Sequence, residues 1–178
     1  MTGWRPGQRR ADRASMLRVD QAGEYGATRI YAGQLAVLRA NCPEAKLISR
    51  MAAQEQRHLQ RFDRLIAERR VRPTALQPLW NVAGFALGAA TALMSEEAAL
   101  ACTDAVETEI DRHYSRQLDE LGEDDPELAA DIAEFRAEEI EHRDTAREAG
   151  ATNAVGYPLL TTAIRAGCKM AIALSKRI

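Results

Sequence analysis

With 178 residues, 46% of them hydrophobic, the chain has enough apolar material to close one sizeable core in a single domain. Only 5% is aromatic and the formal net charge is −2, which argues against a β-sandwich and against nucleic acid as a partner. The three cysteines, Cys42, Cys102 and Cys168, are odd in number and widely spaced, as befits reduced thiols rather than a disulfide framework.

Residues 1–15 carry Arg5, Arg9, Arg10 and Arg13 but no apolar run of the kind a secretory signal needs. Apolar residues then recur three and four apart in segments 12–40 and 43–70, rich in Ala, Leu, Arg, Glu and Gln, which predicts a first helical hairpin over 12–70. From Pro73 to Ser95 no residue is charged, and the run holds Leu79, Trp80, Val82, Phe85, Leu87, Leu93 and Met94. Gln77, Pro78 and Asn81 interrupt it and Ala and Gly dilute it, so it reads as a helix that closes the bundle or dips into a membrane surface rather than one that spans. Gly84 and Gly88, four apart, would let another helix approach closely. Helical periodicity returns over 97–121 and 126–148, a second hairpin over 97–148. The second helix of each hairpin starts alike, Cys42-Pro43-Glu44 and Asp125-Pro126-Glu127, with proline at the first helical position and an acid beside the positive helix end. Gly150 is placed to stop the fourth helix. The remaining 157–178 predict an amphipathic helix with Arg165, Lys169, Lys176 and Arg177 and no acid. Both an anionic lipid surface and a bundle-capping role remain open for it.

Two of the three histidines follow a glutamate by three residues, in Glu55-Gln-Arg-His58 and Glu139-Ile-Glu-His142. On a helix that spacing projects a carboxylate and an imidazole from one face, as two ligands of one metal require. Glu24 precedes the first motif by 31 residues and Glu107 the second by 32. At an offset of 83, Arg29, Tyr31, Gln34 and Leu38 fall on Arg112, Tyr114, Gln117 and Leu121, which marks a duplicated hairpin. A single Glu-x-x-His is more often a solvated helix surface; six repeat-related residues are not. Four antiparallel helices would bring Glu24, Glu55, His58, Glu107, Glu139 and His142 into one interior. Four buried carboxylates are untenable alone, whereas two divalent cations offset their charge. One Glu from each of two helices and Glu-x-x-His from the other two is the ligand set of ferritin-like di-iron and di-manganese proteins. Oxygen-rich ligation with one histidine per metal suits iron or manganese over copper or thiolate zinc. Tyr31 and Tyr114, seven residues after Glu24 and Glu107, lie on the ligand stripe and read as hairpin anchors, with a redox or substrate contact as the alternative. Asp20, Asp104 and Asp111 lie one turn from Glu24 or Glu107 and are expected to orient the imidazoles. His113 falls about 120° off the stripe and reads as an exposed or supporting residue.

Several stretches resemble the demethoxyubiquinone hydroxylases of ubiquinone biosynthesis. They are Arg18-Val-Asp-Gln-Ala-Gly-Glu24-Tyr-Gly-Ala27, Arg29-Ile-Tyr-Ala-Gly-Gln34, Pro78-Leu-Trp-Asn-Val-Ala-Gly-Phe-Ala-Leu-Gly88, Ala101-Cys-Thr-Asp-Ala-Val-Glu107 and Glu138-Glu-Ile-Glu-His142. The resemblance runs from about residue 14 to the C-terminus. It implies an all-α, ferritin-like four-helix bundle with two irons per chain, O2 as oxidant and a polyprenylated benzoquinone ring as substrate. It assigns Glu24, Glu55 and His58 to one iron and Glu107, Glu139 and His142 to the other, with some glutamates bridging, and points to His113 beside Tyr114 in electron or proton transfer. Peripheral attachment to a membrane is expected, at the cytoplasmic face of a bacterial inner membrane or alternatively the matrix face of the mitochondrial one. The missing presequence favours the former. A homo-oligomer or a biosynthetic accessory protein would be the protein partner. No Gly-x-Gly-x-x-Gly fingerprint is present, which leaves a separate reductase, NADH or the quinol substrate open as electron source. Two competing readings are a ferroxidase or iron-storage protein and a non-catalytic quinone or lipid carrier.

Overall fold

The computed structural model describes residues 11–177; Arg5, Arg9, Arg10 and Ile178 lie outside the described residues. Six α-helices follow one another: α1 Arg13–Val37, α2 Pro43–Glu68, α3 Gln77–Met94, α4 Glu96–Leu121, α5 Pro126–Glu148 and α6 Tyr157–Ser175, with a 3-10 turn at Ala151–Asn153 before the last. There is no strand among the described residues. Helix starts are set by short polar caps. Asp12, Cys42, Ser95 and Asp125 accept hydrogen bonds from the backbone N–H groups of Ser15, Ala45, Ala98 and Leu128, satisfying donors that a helix N-terminus leaves orphaned. α1 stops at Val37 rather than at residue 40, because Leu38 turns extended (φ −63°, ψ 145°) to deliver the chain to Pro43. Gly150 follows the end of α5 at φ 108°, a left-handed conformation that glycine adopts without a Cβ penalty.

α1, α2, α4 and α5 form the ferritin-like bundle, with α1–α2 and α4–α5 as its hairpins. Its two ends are packed differently. One holds Leu17, Phe62, Leu65, Leu121, Leu128 and Ile132, and the other Tyr31, Ile48, Met51, Leu100 and the alanines Ala98, Ala99 and Ala101. Small side chains at that second end let α3 lie close beneath α1 and α4. α3 crosses α1 backbone to backbone, so that a Cβ on Gly33 would fall 2.8 Å from the Ala89 nitrogen and one on Gly84 3.0 Å from the Gly26 oxygen. Gly84 and Gly88 thus serve the close approach their spacing predicts, and α1 is the helix they admit.

The α2/α5 seam is polar. Arg57, Arg61 and Arg69 on α2 reach Glu138, Asp131 and Asp125 on or beside α5, a ladder of ion pairs along one side of the bundle. The opposite side is apolar, because α3 and α6 cover α1 and α4 there. Leu79, Val82, Leu93 and Met94 on α3, and Leu159 and Met170 on α6, are more than half exposed. No helix among the described residues is long and apolar enough to cross a membrane. Two contacts hold the covering helices on this side. Trp80 is not part of the exposed stripe; its indole N–H donates to Ser175 Oγ at 3.0 Å and ties α3 to α6. Arg165 Nε sits 2.6 Å and the exposed Lys169 Nζ 3.9 Å from the buried Glu109 carboxylate, and this pairing secures α6 on α4.

Candidate metal centre

Each bundle helix contributes to one buried polar cluster midway between the two apolar ends. Glu24 on α1 and Glu107 on α4 face Glu55 and His58 on α2 and Glu139 and His142 on α5, and all six are 2% exposed or less. His58 Nδ1 lies 3.1 Å from Glu139, 3.5 Å from Glu24 and 3.8 Å from Glu55. His142 Nδ1 lies 3.1 Å from Glu55 and 3.2 Å from Glu139. Two overlapping quartets result, Glu24-Glu55-His58-Glu139 and Glu55-Glu107-Glu139-His142, the ligand atoms within each lying within 4.8 Å of one another. Glu55 and Glu139 stand between the histidines and belong to both quartets.

Oxygens of Glu24, Glu55, Glu107 and Glu139 and the Nδ1 of His142 are buried with no hydrogen-bond partner. Native interiors rarely leave such atoms orphaned, and here they converge on one space. Two divalent cations fit that donor set in charge and in kind. On their own these groups compete for protons. Burial and then the Glu55 charge push Glu24 up to about 7, and burial with Glu139 holds Glu107 well above the usual carboxylate range. Burial disfavours the charged form of His142, yet Glu139 and Glu55 outweigh it and raise the imidazole to about 9; Glu139, Glu24 and Glu55 raise His58 in the same way.

The tyrosine rings are packed in the cores of their own hairpins, Tyr31 with Ile48 and Met51 and Tyr114 with Leu128 and Ile132, while their hydroxyls cross between the repeats. Tyr31 donates to Glu107 Oε1 at 2.8 Å and Tyr114 to Glu24 Oε1, so each phenol steadies the glutamate of the other half. This reciprocity is a pseudo-twofold relation in hydrogen bonds. His113, at the edge of the site, is bonded to Asp20 Oδ1 at 3.1 Å, and Gln117 donates to the same oxygen at 2.8 Å. None of the three aspartates reaches an imidazole of the cluster. Asp20 is taken by His113 and Gln117, Asp104 by Arg147 and Tyr157, and Asp111 by Arg136 and Arg143, because each points across to a neighbouring helix rather than along its own. The imidazoles are backed instead by the residues preceding the two shared glutamates: His58 Nε2 by Glu138 at 2.8 Å and His142 Nε2 by Gln54 at 2.9 Å. Burial acts to raise Glu138, but His58 and Arg57 outweigh it and hold the carboxyl below its ordinary range. Position 54/138 in the repeat is the signal that sequence reasoning passes over. On the α1/α4 side, Ala27, Ile30, Tyr31, Thr103, Val106 and Glu107 line a small recess that ends at the cluster.

The chain is similar over nearly its whole length to curated proteins of one activity class. A 3-demethoxyubiquinol 3-hydroxylase of Rhodospirillum rubrum is 56% identical over 162 residues, covering 91% of this chain and 76% of the relative. An NADPH-dependent 3-demethoxyubiquinone 3-hydroxylase, mitochondrial, of Mus musculus is 53% identical over 166 residues, again 91% and 76%. A 5-demethoxyubiquinone hydroxylase, mitochondrial, of Saccharomyces cerevisiae is 43% identical over 179 residues, 92% and 77%. The family model described as ubiquinone biosynthesis protein COQ7 matches residues 11–175, and the chain belongs to that family.

Proposed function

We propose that this protein is a monooxygenase that hydroxylates the ring of a polyprenylated demethoxyubiquinol at a centre of two irons held by Glu24, Glu55, His58, Glu107, Glu139 and His142. The observation that carries this reading is the pair of buried quartets sharing Glu55 and Glu139, in a chain whose relatives are named hydroxylases of this substrate. When bound and reduced, such a metal pair supplies the electrons that activate O2. The chain's own residues do the rest. Glu55 and Glu139, common to both quartets, would hold both ions, and Tyr31 and Tyr114 steady Glu107 and Glu24. The apolar ends of the bundle keep bulk water from the cluster. The recess at Ala27, Ile30, Thr103 and Val106 holds no space for a water molecule in this structure, so α1 and α4 must part there for the ring to reach Glu107, and His113 with Asp20 lies at the edge of the site where protons can be exchanged. Electrons come from a reduced nicotinamide nucleotide, the donor class in the mouse relative's name.

A long isoprenoid chain is stabilised in lipid by about 0.8 kcal/mol for each CH2 buried, so the enzyme must meet its substrate at a bilayer. The exposed apolar stripes of α3 and α6 flank the recess side and suit peripheral attachment, on the cytoplasmic face of a bacterial inner membrane. The test is turnover. Iron-loaded protein, reduced anaerobically and then given O2 and a demethoxyubiquinone analogue, should yield a product one oxygen atom heavier by mass spectrometry. An unaltered quinone with two irons bound would refute the assigned reaction.

A further inference from the structure

The ligands and their tyrosines are matched pair by pair across the pseudo-twofold relation, but the residues behind the histidines are not. His58 Nε2 faces the carboxylate of Glu138, whereas His142 Nε2 faces the amide oxygen of Gln54. Gln54 and Glu138 also meet each other, Gln54 Nε2 donating to Glu138 Oε2 at 3.3 Å, and Arg57 on the surface donates to the same carboxylate at 3.0 Å. Hydrogen-bond logic fixes the direction of this chain. Glu138 as a carboxylate only accepts, so Gln54 must turn its NH2 toward it and its oxygen toward His142. Both imidazoles therefore keep a proton on Nε2, and Nδ1 is the nitrogen that faces the cluster, open to a metal once its own proton is displaced.

We infer that Glu138 and Gln54 are positioning residues that make the two metal subsites unequal, the His58 subsite being the stronger and the first to fill. A carboxylate behind an imidazole raises its basicity as a ligand more than an amide oxygen does, and it holds the ring's orientation with a charge-assisted bond. The bridge His142–Gln54–Glu138–His58 lies on the polar α2/α5 side, away from the recess, so it distinguishes the metals without touching substrate. This inference rests on the two-metal reading above.

The probe is 57Fe2+ added anaerobically to metal-stripped protein, followed by Mössbauer spectroscopy at half and full loading. Wild type should show one dominant quadrupole doublet at one iron per chain and two doublets at two. Glu138→Gln should weaken the first binding step about 10- to 100-fold, the usual effect of losing such a partner, and populate both doublets together at half loading. The double swap Gln54→Glu with Glu138→Gln keeps the same pair of residue types, so ordered filling should return, now at the His142 subsite. A purely structural role for Glu138 would not be rescued by moving its carboxylate to residue 54. Equal filling of the two subsites in wild type at half loading overturns the inference even if a variant fails to fold. So does ordered filling that persists in Glu138→Gln. Absence of any iron binding would instead refute the two-metal reading, and this inference with it.

Discussion

Replacing Gly88 by alanine tests the packing that fixes α3 on the bundle. An ideal Cβ at residue 88 would overlap the carbonyl oxygen of Ile30 and stand 2.8 Å from its carbonyl carbon and 3.0 Å from the Gln34 nitrogen. Ordinary carbon contacts lie near ~3.5–4.0 Å, so the latter two contacts alone require α3 to retreat by roughly 1 Å, a lower bound. Both obstacles are backbone atoms of α1, and no side chain can rotate out of the way. Over-packing of this kind costs about 1–3 kcal/mol, and two rigid helix backbones place it at the upper end. Alanine's better helix propensity returns roughly 0.5–1 kcal/mol. A net loss of about 2 kcal/mol follows, equivalent to a fall in Tm of roughly 4–8 °C for a chain of this size. Gly23→Ala is the matched control, since a Cβ there meets nothing within 4 Å; it should raise Tm by roughly 1–4 °C through propensity alone. Thermal unfolding followed by far-ultraviolet circular dichroism reads both. Iron content should be unchanged in Gly88→Ala, because α3 carries no ligand, and in Gly23→Ala, because a Cβ there meets nothing that could shift Glu24. A Gly88→Ala protein that melts at or above the wild-type temperature would refute the backbone-to-backbone crossing.

Glu55→Ala combined with Glu139→Ala removes both shared carboxylates, so anaerobically loaded protein should fall below one iron per chain by elemental analysis; retention of two would place the metals elsewhere. Tyr114→Phe leaves a buried Glu24 oxygen without its donor, and a loss of about 1–3 kcal/mol is expected, read as a lower denaturation midpoint than wild type; no loss would mean that the cross-repeat bond contributes nothing. In chelator-stripped protein the folded-state values of Glu24 (raised from 4.5 to about 7) and His142 (raised from 6.5 to about 9) both favour protonation. Their stabilising contributions are full below the ordinary values and are lost as pH rises through the folded ones, so Tm should decline from about pH 5 to 9. Metal displaces the same protons, so apparent iron affinity should climb over that window; a flat affinity profile would contradict the proton competition. Leu93→Asp together with Val82→Asp should release the protein from anionic liposomes while leaving iron content intact, and persistent co-sedimentation would remove the exposed stripe of α3 from the membrane contact.

Much of the bundle is legible in sequence because its signals are local. A 3.6-residue period, proline one step inside a helix, glycine one step past it and a repeat of 83 residues each reflect a single segment or a direct copy. The six clustered residues are legible for the same reason, since i and i+3 share a face whatever the helix packs against. What escapes is set by rotation between helices. Glu138 and Gln54 sit one residue off the ligand stripe, about 100° round the helix, where a polar side chain reads as surface until the neighbouring helix brings a histidine to it. Asp20, Asp104 and Asp111 fail as supports for the mirror-image reason: adjacency along α1 or α4 says nothing about which helix an outward carboxylate meets. The tyrosines show both halves of the rule. Their place on the stripe is periodic and visible, but the glutamate each one bonds belongs to the other repeat.

All six clustered residues lie on α1, α2, α4 and α5, and α3 and α6 contribute none. The molecule is therefore divisible into a chemical frame and an outer cover that share a boundary along α1 and α4 but no clustered residue. Changes on the outward faces of α3 and α6 leave the frame's donor geometry as it was, provided that Gly84, Gly88 and the Glu109 ion pairs stay in place. The exposed faces of α3 and α6 can then drift in sequence while the six clustered residues stay constant. For a designer, the same division means that the exposed apolar residues of α3 and α6 can be rewritten without touching the frame.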